Sequence, residues 1–287
     1  MKQNKENKYT VDVDKAWNNL YSRLEKDQLL PGETEPSFSR KRKIPLQWIA
    51  AAAAIFAGVI ISIFYFPQNK DNALVFLQNE DDAGALVATL KDGSIVYLAS
   101  NASISYPAEF KKNQRKVELN GNALFCVAKD EKRPFIIETN KKVTIEVVGT
   151  VFAVQSDSDK PFELSVKQGK VNVHSMENQS VVPVEAGETV QLRMNGLSKF
   201  QTSNSQLFSR FTNKMCFRDE KLNNIVHAIN TIYGSPKIMT EESLKNRTLT
   251  VTFENDSVET MTELICMALN LKQINKQDTI FIRQLSK

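Results

Sequence analysis

Two histidines and three cysteines in 287 residues leave little for metal or thiol chemistry. His174 falls in a predicted strand and His227 on a predicted helix, and each stands alone. Cys126, Cys216 and Cys266 form an odd, widely spaced set, which is not a disulfide framework. Cys126 lies within Ala123-Leu-Phe-Cys-Val-Ala128 and Cys266 within Leu264-Ile-Cys-Met-Ala268, where a thiol behaves as a small buried hydrophobe. There is no glycine-rich phosphate loop after a strand and no Gly-x-Ser-x-Gly elbow. Asp81-Asp82 and Glu241-Glu242 sit in predicted loops and read as solvated charge. The sequence therefore predicts no enzyme, no catalytic residue, no metal and no cofactor. A dominant charge of one sign is also missing. The net charge is +4, and residues 1–43 supply most of it, with ten Lys/Arg against seven Asp/Glu. A pI near 8.8 is thus no argument for direct nucleic-acid binding.

One long apolar run is present. No charged residue occurs between Lys43 and Lys70. Ile44 to Phe66 spans roughly 35 Å as a helix at about 1.5 Å per residue, against a hydrocarbon core of about 30 Å. It has no polar face, and Trp48 and Tyr65 stand near its ends, as at lipid–water interfaces. Arg40-Lys41-Arg42-Lys43 abuts it on the N-terminal side only. Basic flanks stay in the cytoplasm and face anionic headgroups. The expected topology is a single transmembrane helix over 44–66, with residues 1–43 in the cytoplasm and the remainder outside.

In the tail, Val13, Trp17, Leu20 and Leu24 recur at steps of four, three and four, which aligns them on one helical face. Asp12 or Asp14 can cap the start, and Pro31-Gly32 closes the segment. About forty residues make almost no core of their own. A large aromatic on such a stripe calls for a partner.

From about 74 to 200 the pattern is strand after strand. Leu86–Leu90 and Ser94–Leu98 flank the turn Lys91-Asp92-Gly93. Asn120-Gly121 between Arg115–Leu119 and Ala123–Ala128 predicts a hairpin, since both residues tolerate positive φ. Phe162–Val166 and Lys170–His174 flank Gln168-Gly169. Seven of the ten glycines fall between Gly84 and Gly196, and nothing there has the period of a long helix. An all-β domain with short connections is expected. After about residue 208 the period changes. Leu222, Ile225, Val226, Ile229 and Ile232 form a helical stripe with Gly234 past its end. Pro236–Thr240, Thr248–Phe253 and Thr279–Ile282 read as strands, and a second helix opens at Asp256-Ser-Val-Glu259. Residues 208–287 are expected to form a separate small α/β unit. Either Thr248–Phe253 or Thr279–Ile282 is expected to offer an edge for strand addition.

These elements, in this order, resemble the FecR family of anti-sigma factors. Leu90-Lys-Asp-Gly-Ser-Ile-Val-Tyr-Leu98 looks like its strand–Asp-Gly-Ser–strand opening, and Ser103-Ile-Ser-Tyr-Pro107 like its Ser-x-Tyr-Pro element. Val117–Ala128, Arg133–Ile137 and Val148-Gly-Thr-Val-Phe-Ala-Val154 are similar to the family core. Tyr233-Gly234, Leu249–Phe253 and Leu269-Asn-Leu271 are similar to its C-terminal domain. Members carry further helices ahead of the Val-Asp-x-x-x-Ala-Trp segment, and here that segment, Val11 to Trp17, is matched alone. The resemblance implies a bacterial inner-membrane regulator with its C-terminus in the periplasm. It implies two protein partners: an extracytoplasmic-function sigma factor, held through Val13, Trp17, Leu20 and Leu24, and the signalling extension of an outer-membrane TonB-dependent transporter. The bilayer is the third. The alternative is a membrane-anchored periplasmic protein that binds glycan or cell wall.

Overall fold

The structure is a computed structural model that describes residues 12–27, 29, 73–80, 84–177, 179–203 and 205–285. The chain divides into two compact units, one ending at Gln68 and one beginning at Asn69. The apolar run 44–66 and the basic cluster Arg40, Lys41, Arg42 and Lys43 lie outside the described residues. Among the described residues no helix is long and apolar enough to cross a membrane.

In the first unit, α1 spans Val13–Lys26. Asp12 caps it, its side chain accepting from the Lys15 amide at 3.2 Å. The helix closes at Asp27, ahead of the Pro31-Gly32 stop read from the sequence.

In the second unit the first strands are β1 (Leu74–Gln78), β2 (Ala85–Thr89), β3 (Ile95–Leu98), β4 (Ser103–Pro107), β5 (Arg115–Asn120) and β6 (Ala123–Cys126). Then come β7 (Phe135–Thr139), β8 (Val143–Val147), β9 (Val151–Gln155), β10 (Glu163–Gln168) and β11 (Lys170–Ser175). β12 (Val181–Glu185), β13 (Glu188–Arg193) and β14 (Gly196–Gln201) complete the all-β region. A short α2 (Ser209–Thr212) leads to β15 (Lys214–Lys221), α3 (Leu222–Tyr233), β16 (Lys237–Thr240), β17 (Thr248–Glu254), α4 (Val258–Leu269), β18 (Leu271–Lys276) and β19 (Thr279–Gln284). These strands form three sheets, ordered β1-β4-β5-β7-β8-β11-β12, β14-β13-β10-β9-β6-β3-β2-β15-β17 and β16-β19-β18.

The seven-stranded and nine-stranded sheets face each other across a core that includes Val96, Leu98, Phe125, Phe135, Ile145 and Phe152. Phe125 stacks on Phe152 at 5.4 Å and meets Phe135 edge-on at 6.2 Å. Such ring pairs contribute about 0.5–1.5 kcal/mol beyond their burial. Asn120-Gly121 does not close a hairpin. It carries the chain from β5 in one sheet to β6 in the other, and Gln168-Gly169 does the same between β10 and β11. Gly121 adopts φ +91°, and a Cβ there would lie 2.9 Å from the Ala102 Cα. The turn chemistry is as the dipeptide demands, but the partner strands are set by the two-sheet core. Lys91-Asp92-Gly93 does join a hairpin, β2 with β3.

A second core covers the opposite face of the nine-stranded sheet. Ala85, Val87, Ile95, Tyr97, Leu124, Cys126 and Ala153 join α3, α4 and the inner face of the three-stranded sheet in one cluster. The central strands are therefore buried on both faces, which requires near-continuous apolar runs. β15 adds to β2 in parallel, pairing Met215 with Ala85 and Cys216 with Leu86. Gly84 admits this approach, since a Cβ there would meet the Lys214 carbonyl oxygen at 2.5 Å. The segment after 208 thus shares a sheet and a core with the β-region. The change of period near Ser203 marks a change of architecture within one compact unit.

The two helices end by different means. α3 has no side-chain N-cap, and its first amides, of Leu222 and Asn223, donate to the Arg247 and Lys245 carbonyls at 2.8 and 3.1 Å. Gly234 terminates it at φ +73°. In α4, Ser257 is the N-cap, its hydroxyl accepting from the Thr260 amide at 3.2 Å. Asp256 instead accepts from the Glu254 amide.

Candidate interaction surfaces

At about 100° per residue, Val13, Trp17, Leu20 and Leu24 fall within about 60° of arc on α1. Val13, Trp17 and Leu20 are 62, 57 and 46 % exposed, and Leu24 is partly buried. Tyr21 extends the stripe, packing edge-on against Trp17 at 6.5 Å while remaining 60 % exposed. Tyr21 is absent from the stripe expected from spacing, although its position four residues after Trp17 is signal enough. Lys15, Asn18, Asn19, Ser22 and Lys26 occupy the opposite face. Truncating large aromatics at such a helix-in-groove contact commonly costs about 2 kcal/mol or more.

In the second unit the open sheet edges decide where a partner strand can add. Among the described residues β17 pairs only with β15 and closes the nine-stranded sheet. Its residues Thr248, Thr250 and Thr252 are exposed while Phe253 is buried. Thr279–Ile282 offers no edge, because β19 lies between β16 and β18. β18 went unread in the sequence, as Leu271-Lys-Gln-Ile-Asn-Lys276 has too few apolar residues to signal a strand.

The Asp-Gly-Ser element proves to be a buried support. Asp92 Oδ2 accepts from Ser94 Oγ at 2.7 Å and from Arg115 Nη1 at 2.8 Å. Ser94 Oγ accepts in turn from the Ala128 amide at 3.0 Å. Arg115 also donates to the Arg133 carbonyl from Nε and to the Ala128 carbonyl from Nη1, each at 2.9 Å. Its guanidinium lies 5.3 Å from the Phe135 ring centroid. The Arg115 and Asp92 side chains are 0 and 3 % exposed. One buried pair therefore fastens the β2–β3 turn to β5 and to the segment following β6.

Groups with catalytic potential are dispersed. Among the described residues no three His, Cys, Asp or Glu side chains gather as a metal site. His227 Nε2 lies 3.2 Å from the Gly93 carbonyl, and His174 Nε2 lies 3.5 Å from Glu146. Burial pushes the Cys126 thiol up to about 12 and the Cys266 thiol to about 11, so both stay protonated at neutral pH. The Tyr97 hydroxyl, raised well above its ordinary value by burial and then by Cys126 and Tyr233, bonds the Ala228 carbonyl at 3.4 Å.

Two family descriptions match this architecture. "FecR protein" matches residues 81–172 and "FecR, C-terminal" matches residues 214–282, together more than half of the chain. The chain belongs to the FecR family. The first FecR match falls on strands of the facing sheets, and the second covers most of β15 to β19 with both helices. Two crystal structures of a candidate anti-sigma factor from Parabacteroides distasonis are also similar. One is 24 % identical with a TM-score of 0.46 and the other 23 % identical with 0.45, and each match covers 74 % of this chain and 100 % of that one. No curated protein matches the chain.

Proposed function

We propose that this FecR-family chain is a membrane-spanning anti-sigma factor, and that α1 holds an extracytoplasmic-function sigma factor in the cytoplasm. The observation that carries this reading is the α1 stripe. Trp17, Tyr21, Val13 and Leu20 stand exposed on one face of a capped helix. Exposed aromatics in such a pattern suit a hydrophobic groove. The run 44–66 would cross the inner membrane, with Arg40, Lys41, Arg42 and Lys43 holding the N-terminus inside. The compact unit from Asn69 onward would then lie in the periplasm. Its C-terminal segment would receive the signalling extension of an outer-membrane TonB-dependent transporter, with β17 offering an open edge.

Trp17→Ala together with Leu24→Ala tests the sigma-factor contact. At about 2 kcal/mol for a major anchor, affinity falls roughly 30-fold per anchor. The double variant should lose co-purification of the sigma factor while inserting normally into membranes. Capture at the wild-type level would remove the stripe from the interface.

A further inference from the structure

The three-stranded sheet buries one face and leaves the other open. Ile238, Ile280, Ile282 and Leu271 point into the core. The register pairs Met239 with Phe281 and Phe281 with Ile274, so these three form one row across the open face. Met239 is 53 % exposed. Cations flank the row. Lys276 Nζ and Arg283 Cζ each lie 5.9 Å from the Phe281 ring centroid, and Lys272 is the register partner of Arg283. Glu241 lies 3.8 Å from Arg283, and both side chains are nearly half exposed, so this pair neutralises little. Lys237 is turned away, donating to the Asn230 carbonyl at 3.0 Å.

We propose that this face docks an acidic polypeptide segment. An apolar side chain of the segment would seat on Met239, Phe281 and Ile274, with carboxylates beside Lys272, Lys276 and Arg283. The inference deepens the receiver role given above to the C-terminal segment and rests on that reading. A polypeptide is favoured over an anionic lipid surface because β16 and β18 are both outer strands of this sheet. The outer edge of β18 can extend a partner strand alongside the row, which a headgroup cannot use, whereas at β16 the Asn230 side chain already bonds the amide and carbonyl of Ile238, each at 2.8 Å. Opposite charge across such a surface fixes register and speeds encounter.

The test uses the full chain in phosphatidylcholine nanodiscs. The probe is a labelled strand-forming peptide that alternates glutamate with valine, compared with its lysine-for-glutamate counterpart. The glutamate peptide should bind at least tenfold tighter, and raising salt from 0.1 to 1 M should weaken it, since the screening length falls from about 10 to about 3 Å. Lys276→Glu with Arg283→Glu should reverse the preference. Met239→Asp, at an exposed position, should weaken glutamate-peptide binding at least tenfold with no change in the circular-dichroism melt. Equal binding of both peptides, or a preference unchanged by the charge reversal, would overturn the proposal. So would failure of the glutamate peptide alongside capture of phosphatidylglycerol vesicles, which would make the face a lipid contact. Sigma-factor capture by α1 is read separately, so loss of that function leaves the peptide result standing.

Discussion

Asp92→Ala should be among the most damaging single substitutions in the second unit. The aspartate is buried, and its partner Arg115 has no exposed side-chain surface. Removing the carboxylate leaves a buried guanidinium facing two carbonyls, and Nη2 already lacks a partner among the described residues. Stranding one member of such a pair costs about 3–5 kcal/mol. The Ser94 hydroxyl and amide lose an acceptor as well. For a unit of this size each kcal/mol lowers the melting temperature by about 2–4 °C, giving a fall of roughly 6–20 °C. Thermal melting of the membrane-reconstituted chain by circular dichroism reads this. Lys116→Ala is the control. Its pair with Glu138 is 43 and 36 % exposed, and such pairs contribute about 0.2–1 kcal/mol. Adding Arg115→Met to Asp92→Ala should recover part of the loss, because an apolar stem then replaces a stranded charge. If Asp92→Ala melts within 2 °C of wild type, or if Arg115→Met adds to the damage, the buried-charge reasoning is wrong.

Gly84→Val should loosen the join between β2 and β15, seen as faster protease cleavage near residues 203–214 with the two-sheet core intact; unchanged cleavage would mean that the approach is not tight. Cys126 should resist alkylation in the folded chain at pH 8 while half-buried Cys216 reacts first, measured by mass spectrometry of the tryptic peptides. The same thiol makes alkaline stability fall. Its pKa rises from 9.0 to about 12 on folding, so the protonated form's contribution is complete below about 9 and is lost as pH climbs toward 12. Cys126→Ala should flatten that limb of the pH–stability curve, and an identical slope would exclude this thiol as its source. A reporter active only outside the cytoplasm should work when fused after Lys70 and fail when fused before Arg40; the opposite pattern would reverse the proposed topology.

Much of this was legible in the residues, and the rest was hidden for identifiable reasons. The β-region announced itself through short apolar runs between glycines. α3 and its Gly234 stop followed from period alone. The stripe on α1 was equally plain, save for Tyr21. The hairpins read at Asn120-Gly121 and implied at Gln168-Gly169 failed because a dipeptide specifies a turn and not which sheet the chain enters next. The shared core was signalled and overlooked. Ile95-Val-Tyr-Leu98 and Ala123-Leu-Phe-Cys126 are apolar without alternation, which demands cover on both faces, and α3 with α4 supply it. β15 escaped notice because Arg218-Asp-Glu-Lys221 ends it with four charges. Nothing in Gln114-Arg-Lys116 marks Arg115 as buried, and only tertiary packing turns it inward. The flanking of Phe281 by Lys276 and Arg283 likewise exists only once β18 and β19 are in register.

The indole of Trp17 can report directly on whether α1 contacts a sigma factor. With Trp48→Phe in the reconstituted full chain, Trp17 becomes the sole indole. A candidate extracytoplasmic-function sigma factor should be made with its own tryptophans replaced by phenylalanine, then titrated in. The Trp17 emission should show a saturable blue shift that reaches its limit at one sigma factor per chain and disappears with Leu20→Asp. An emission that stays at the wavelength of a water-exposed indole at every concentration would contradict that contact.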